Sequence, residues 1–199
     1  MIENGEFADS SFDGENWTGE ELIRCTYTNC SFRGADLQGI GTVRSSFISC
    51  DFSGAKLNDS THDGSQFTNC RFTSTNLWTT RFSSCKMTGS TFEGATLTGF
   101  EIAEGDWSYV NFRLHDLRKA RFDRVVLRET DFYEADLSGA VFTGADLTRA
   151  ILHKAVLKKA DLRGAVIEGI NFRDVTLDET KLDWNQALRL AESYGAKID

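Results

Sequence analysis

Five cysteines, at positions 25, 30, 50, 70 and 85, and three histidines, at 62, 115 and 153, are the residues of this chain best suited to metal binding or nucleophilic chemistry. Thiolates and imidazoles hold zinc when four of them converge on a tetrahedron. No CxxC or zinc-type spacing occurs here, and an odd cysteine count does not close a disulfide framework. Every cysteine instead falls on a multiple of five, and Cys30, Cys50 and Cys70 recur every twenty residues. Such a column of parallel thiols does not converge on one ion, and a buried thiol serves as a small apolar group. Carboxylates and hydroxyls are abundant, but there is no glycine-rich phosphate loop and no GxSxG element. These residues predict no enzyme, no metal site and no cofactor.

The element that positions all of them is a five-residue repeat. From Phe7 to Leu182, every fifth residue forms a series of 36 positions in unbroken register. All but Thr42 and His62 are aliphatic, Met or aromatic, and fourteen of the fifteen Phe residues belong to the series. Two residues earlier lies a mostly small class: Ala35, Ala55, Ala95, Ala135 and all five cysteines. Residues two apart on an extended segment share a face, so both classes point inward. Thirteen of the seventeen glycines occupy the position two after the large residue. That position reads as a corner needing positive φ. His62 and His115 then face inward and His153 outward, on three different sides, which leaves no shared metal site.

A second period, of twenty, is visible. Large residues at 12, 32, 52, 72, 92, 112, 132 and 172 are all Phe, and those at 37, 57, 77, 97, 117, 137, 157 and 177 are all Leu. Four pentapeptides therefore make one turn of a four-sided parallel β-helix, and 36 repeats give about nine coils. The side carrying Thr42 and His62 is irregular: Ile40 and Phe100 stand where small residues are expected, so the large inward residue is expected to trade places near residue 40. Thr42 and His62 are expected to bond inside, as buried polar groups must. A distorted coil is expected near residues 98–111.

After Leu182 the period changes. Asp183 with Gln186 three residues on reads as a capping box. Trp184, Ala187, Leu188, Ala191 and Tyr194 follow at helical spacing, and Gly195 suits the end. The expected organisation is a β-helix over residues 1–182 and a helix and tail over 183–199. The short helix covers the last coil, and its apolar residues are also candidates for a two-fold contact between copies.

The net charge is −8. That disfavours direct nucleic-acid binding, which shows a basic footprint. Residues 1–60 hold ten acids and four bases, 61–120 six of each, and 121–199 fourteen and twelve. No run of about 18 apolar residues crosses a membrane. The start, MIENGEFADSSF, lacks the basic and apolar regions of a secretory leader. A cytoplasmic location is expected.

The motif Ala-Asp-Leu at 35–37, 135–137, 145–147 and 160–162 resembles the A(D/N)LXX pattern of the pentapeptide-repeat family. Within it, SFISCDFSG (46–54), SQFTNCRF (65–72), TNLW (75–78) and the run from Phe82 to Phe92 are similar to the MfpA and Qnr group, MfpA nearest. The resemblance implies a right-handed quadrilateral β-helix and a homodimer joined at the C-terminal ends through Trp184, Ala187, Leu188, Ala191 and Tyr194. It also implies a rod that imitates DNA, binds DNA gyrase and protects it from fluoroquinolones. The candidate gyrase-facing residues are Asp36, Asp51, Asp59, Asp63, Trp78, Glu93, Asp116, Asp131 and Asp136. A generic interaction scaffold with a partner other than a topoisomerase is the alternative.

Overall fold

The computed structural model describes residues 1–197. Ile198 and Asp199, the last two residues of the expected 183–199 segment, lie outside the described residues. Contacts divide the chain into two compact units, Met1–Val110 and Asn111–Asp199.

The first unit is a four-sided parallel β-helix. Its strands are β1 (Ile2–Glu3), β2 (Glu6–Ala8), β3 (Glu21–Ile23), β4 (Thr26–Thr28), β5 (Gly41–Val43), β6 (Ser46–Ile48), β7 (Thr61–Asp63), β8 (Gln66–Thr68), β9 (Arg81–Lys86) and β10 (Glu101–Asp106). They stack in parallel as β1-β3-β5-β7-β9 and β2-β4-β6-β8-β9, with β10 on β9. Every step is twenty residues: Leu22 pairs with Thr42, Thr42 with His62, His62 with Phe82, and Phe82 with Ile102. The other two sides are held by bridges, Ser11–Ser31–Asp51–Arg71–Thr91 and Asn16–Asp36–Lys56–Asn76–Thr96. The second unit keeps the same step through bridges alone, such as Asp116–Asp136–Val156–Thr176 and Arg121–Val141–Asp161–Lys181. Regular strands therefore account for about five turns, fewer than the nine coils counted from the repeat. The difference arises because the remaining repeats keep their pairing but flatten too briefly to form strands.

The sides are numbered here by their large residues: side one holds Phe7, Tyr27 and Phe47; side two Phe12, Phe32 and Phe52; side three Trp17, Leu37 and Leu57; side four Leu22, Thr42 and His62. The inward rings stack at the strand spacing, about 4.8 Å. Centroids of Phe32 and Phe52 lie 4.9 Å apart, those of Phe52 and Phe72 5.0 Å, and those of Phe47 and Phe67 4.8 Å. In the second unit Phe122 and Phe142 stack at 5.0 Å.

The corner position takes positive φ whether or not it is glycine: Gly34 has φ 64, Asp59 φ 61, Lys119 φ 61 and Leu114 φ 63. Each L-residue there costs about 1 kcal/mol, which the ladder offsets, as where Asp59 N–H donates to the Trp78 carbonyl at 2.9 Å. In the expected distorted region, β10 continues as a strand across its corner, where Glu104 keeps φ 63. Gly105 has φ 110, and a Cβ there would overlap the Cys85 carbonyl.

The small inward class has a second duty. On sides two and three the large residue's carbonyl accepts from the turn that follows, as Ala35 N–H to Phe32 at 3.1 Å. At Tyr27, Phe47, His62 and Phe67 on sides one and four of the first unit, a thiol or hydroxyl from the next coil supplies the donor instead, whereas in the second unit the turn bond is present on these sides too, as Val125 N–H to Phe122 at 3.2 Å. Cys50 Sγ donates to the Tyr27 carbonyl at 3.4 Å, Cys70 Sγ to Phe47 at 3.3 Å, Cys85 Sγ to His62 at 3.4 Å and Ser90 Oγ to Phe67 at 2.7 Å.

The irregular side encloses a polar cluster. His62 is buried and stacks on Phe82 at 4.7 Å. Its Nδ1 lies 2.8 Å from Thr42 Oγ1 and its Nε2 3.0 Å from Ser60 Oγ. Thr42 donates on to Ser65 Oγ at 2.9 Å, and Thr80 Oγ1 donates to the Leu57 carbonyl at 2.7 Å. A neutral ring is thus satisfied at both nitrogens. Burial pushes the His62 pKa down to about 3 from 6.5. Ile40 and Thr42 are both buried, so the expected exchange near residue 40 does not occur; both point inward. His115, expected inward, is half-buried.

Helix α1 spans Trp184–Ser193 and opens with the expected capping box. Asp183 accepts from Gln186 N–H at 3.1 Å, and Gln186 Oε1 accepts from Asp183 N–H at 3.0 Å. The helix docks through this polar end. Gln186 is its buried residue and donates to the carbonyls of Leu162 and Ala165, the latter at 2.8 Å. Asp183 Oδ2 accepts from Gly164 N–H at 2.8 Å, and Tyr194 hydroxyl donates to the Phe172 carbonyl at 3.0 Å.

Candidate protein-interaction surface

The sides of the first unit are filled. A cavity of about 10 Å³ lined by Leu22, Ile40, Thr42, Phe47 and His62 is barely water-sized. Among the described residues no group of three or more His, Cys, Asp or Glu is placed to hold a metal ion. All five cysteines are buried and free. Burial raises the pKa of Cys85 to about 11 and that of Cys70 also upward. What the molecule presents to a partner is its outward columns.

The repeat places the candidate acids of the first unit on three sides. Asp36 and Asp59 share side three with Trp78, Asp51 and Glu93 lie on side two, and Asp63 ends β7 on side four. They do not form one stripe. Asp36 is bound by Lys56 at 3.0 Å, whose hydrogen bond lowers its pKa. Asp51 accepts from Ser53 N–H at 2.9 Å and lies 3.9 Å from Arg71. Asp59 is exposed and accepts from Thr79 Oγ1 at 2.6 Å and Asn58 Nδ2 at 3.0 Å, bonds that hold its carboxyl below the ordinary value. Asp63 and Glu93 are exposed, and Trp78 is 49% exposed.

In the second unit the candidates are neutralised. Arg118 binds Asp116 at 2.5 Å and lies 3.9 Å from Asp136, while Arg113 binds Asp131 at 3.0 Å. The pattern continues through Arg128–Asp146, Lys154–Glu134, Lys158–Asp178 and Arg163–Asp161.

The first two coils differ. Glu3, Glu6, Asp9, Asp13, Glu15 and Glu21 have no ion pair with Lys or Arg. Ser31 donates to Asp13 and lowers its pKa, so this carboxyl is held ionised. These acids are absent from the candidate gyrase-facing residues named from the sequence, although Glu6 and Asp13 are outward by register. The excess of ten acids over four bases in residues 1–60 was the signal for them.

At the other end of the chain, α1 leaves its apolar residues in the open. Trp184 is 78% and Tyr194 55% exposed, Ala187 is exposed, and Leu188 and Ala191 are half-buried. No helix among the described residues is long and apolar enough to cross a membrane.

A square parallel coil with a twenty-residue step and a corner every fifth residue defines a class, and the family models agree. "Pentapeptide repeat region" matches residues 44–122, and "Pentapeptide repeats (8 copies)" matches 108–144 and 140–178. The chain belongs to the pentapeptide-repeat family. Among solved structures it is similar to two trypsin-treated variants of QnrB1, a plasmid-mediated fluoroquinolone resistance protein. Each is 25% identical with a TM-score of 0.63; 99% of this chain is covered, and 99% and 98% of those chains. HetL, a pentapeptide repeat protein involved in heterocyst differentiation regulation from the cyanobacterium Nostoc, is 22% identical over 91% of this chain and 88% of its own, with a TM-score of 0.46. No curated protein sequence matches the chain.

Proposed function

We propose that this chain is a non-enzymatic interaction protein that binds DNA gyrase, a type II topoisomerase, in place of a DNA segment, and so modulates it and protects it from fluoroquinolones. The full-length likeness to a fluoroquinolone resistance protein carries the reading. Charge supports it: duplex DNA is a cylinder of dense negative charge, and Glu3, Glu6, Asp9, Asp13, Glu15 and Glu21 form no ion pair with Lys or Arg among the described residues, while the candidate acids of the second unit do. The imitation therefore rests first on Glu3, Glu6, Asp9, Asp13, Glu15 and Glu21, with Asp59, Asp63 and Glu93 beyond them. The exposed Trp184 and Ala187 on α1, with Tyr194 at its C-cap, support a homodimer joined through the C-terminal ends, since an uncovered apolar helix face invites a self-complementary contact; its proposed location is the cytoplasm. The 1–182 β-helix then displays charge, and the 183–199 segment caps and pairs it.

The ion-paired surface of the second unit favours a second reading for that part, a scaffold for a partner other than a topoisomerase. A gyrase supercoiling assay with and without a fluoroquinolone separates the two. The first reading expects inhibition of supercoiling and fewer drug-stabilised DNA breaks. Excess protein without effect on either sinks it.

A further inference from the structure

Trp78 stands on side three of the first unit as a half-exposed ring in unusual company. Among the described residues of this unit, the other exposed large apolar side chains lie elsewhere: Val43 on side four, Ile48 and Tyr109 on side one, and Met1 at the terminus. By the side-three register, the side chains around it are amides, hydroxyls and paired charges: Asn76 and Thr79 on its own coil, Asn58 one coil earlier and Gln38 two. Asn76 Nδ2 donates to Asn58 Oδ1 at 3.4 Å, Asn58 Nδ2 to Asp59 Oδ2 at 3.0 Å, and Gln38 Nε2 to the same oxygen at 3.4 Å. Thr79 holds the other Asp59 oxygen at 2.6 Å, and Lys56 is tied to Asp36 at 3.0 Å.

This setting does not suit an apolar protein anchor, whose surroundings exclude water and are poor in charge. It suits a ligand with an apolar C–H face and a rim of hydroxyls. The indole face takes the first, while amide and carboxylate oxygens and the amide and ammonium N–H groups take the second. We propose that side three of the first unit is a binding platform for a neutral linear oligosaccharide, with Trp78 stacking on one sugar ring and Asn58, Gln38, Asp59 and Lys56 reading hydroxyls along the coil axis. The polar side chains are already tied to one another, so little ordering is needed on binding. Their columns rise by about 4.8 Å per coil, which lets successive coils meet successive sugars. The platform shares Asp59 and Trp78 with the candidate gyrase-facing residues but uses none of Glu3, Glu6, Asp9, Asp13, Glu15 and Glu21, and the two readings fail separately: the sugar measurement needs no gyrase and the supercoiling assay needs no sugar.

Saturation-transfer NMR with cellohexaose, fully N-acetylated chitohexaose and maltohexaose at millimolar concentration tests the proposal on the full chain. Transfer to the C–H protons of at least one hexasaccharide is expected, insensitive to added salt because the ligand is uncharged. The effect should persist in W78F and fall about tenfold in W78A, as for an aromatic anchor, with the melting temperature of both variants unchanged. No transfer to any of the three sugars overturns the proposal. So does equal transfer in W78A, or loss of a protein partner in W78A while the sugars give no signal.

Discussion

Between about pH 6.5 and 4.5, above the range where the carboxylates titrate, acid should weaken this protein first through His62. Its ring is fully buried, both nitrogens face neutral hydroxyls, and burial holds its pKa at about 3 against an ordinary 6.5. Between those two values the unfolded chain binds a proton that the folded chain refuses, so stability falls as pH falls. The contribution is intact above pH 6.5 and declines by about 1.4 kcal/mol per pH unit below it. At pH 4.5 the loss from this group alone is about 3 kcal/mol, and near pH 3 it approaches 5 kcal/mol. Replacing His62 by Phe keeps a flat ring on Phe82, 4.7 Å away in the native stack. Thr42 retains Ser65 as acceptor, and Ser60 the Leu57 carbonyl at 2.6 Å. The variant should lose some stability at pH 7 but lack the acid gradient. Urea unfolding of both proteins at pH 7, 6, 5 and 4.5 isolates the term, because every other titrating group is common to them. The difference in unfolding free energy should move by about 3 kcal/mol in favour of H62F across that range. Parallel curves would refute the reasoning.

Three other outcomes follow from two named sets of bonds and one backbone angle. Cys50→Ser should preserve the donor to the Tyr27 carbonyl, whereas Cys50→Ala should cost about 1 kcal/mol more in urea unfolding. Leu114→Gly should stabilise by about 1 kcal/mol, since the corner has φ 63 and the side chain is 69% exposed. Gln186→Ala removes both the capping-box partner and the donors to Leu162 and Ala165, at a cost of about 1–3 kcal/mol. Its signature should be loss of helical circular dichroism and rapid proteolysis after residue 183.

The sequence displayed the fold because a five-residue coil repeats one packing decision: a large residue inward, a small one beside it, a corner next. Phe32, Phe52 and Phe72 could be stacked from spacing alone. Hydrogen bonds between coils were harder to foresee. Cys50 and Ser90 look interchangeable with Ala as small fillers, yet each serves a carbonyl that the turn leaves without a donor. The corner was legible where glycine marks it and hidden at Asp59, Lys119 and Leu114, where the ladder forces the same φ on an L-residue. At α1, apolar spacing suggested a greasy cap, but the buried contact is Gln186, because the last coil presents the carbonyls of Leu162 and Ala165 to its amide. The surface was least legible. Asp116, Asp131 and Asp136 could be named from spacing as outward acids, but not which arginine neutralises each, since ion pairing runs between coils at separations such as Arg113 to Asp131.

The gyrase reading is tested most directly by competition. Fluorescence anisotropy of a labelled duplex bound to gyrase, titrated with this protein at rising salt, measures whether the two occupy one site. The account predicts displacement of the duplex, weakened by salt and by changing Glu6, Asp9, Asp13 and Glu15 together to their amides. Gyrase that keeps its duplex under excess protein, or loses it equally to the amide variant, would contradict it.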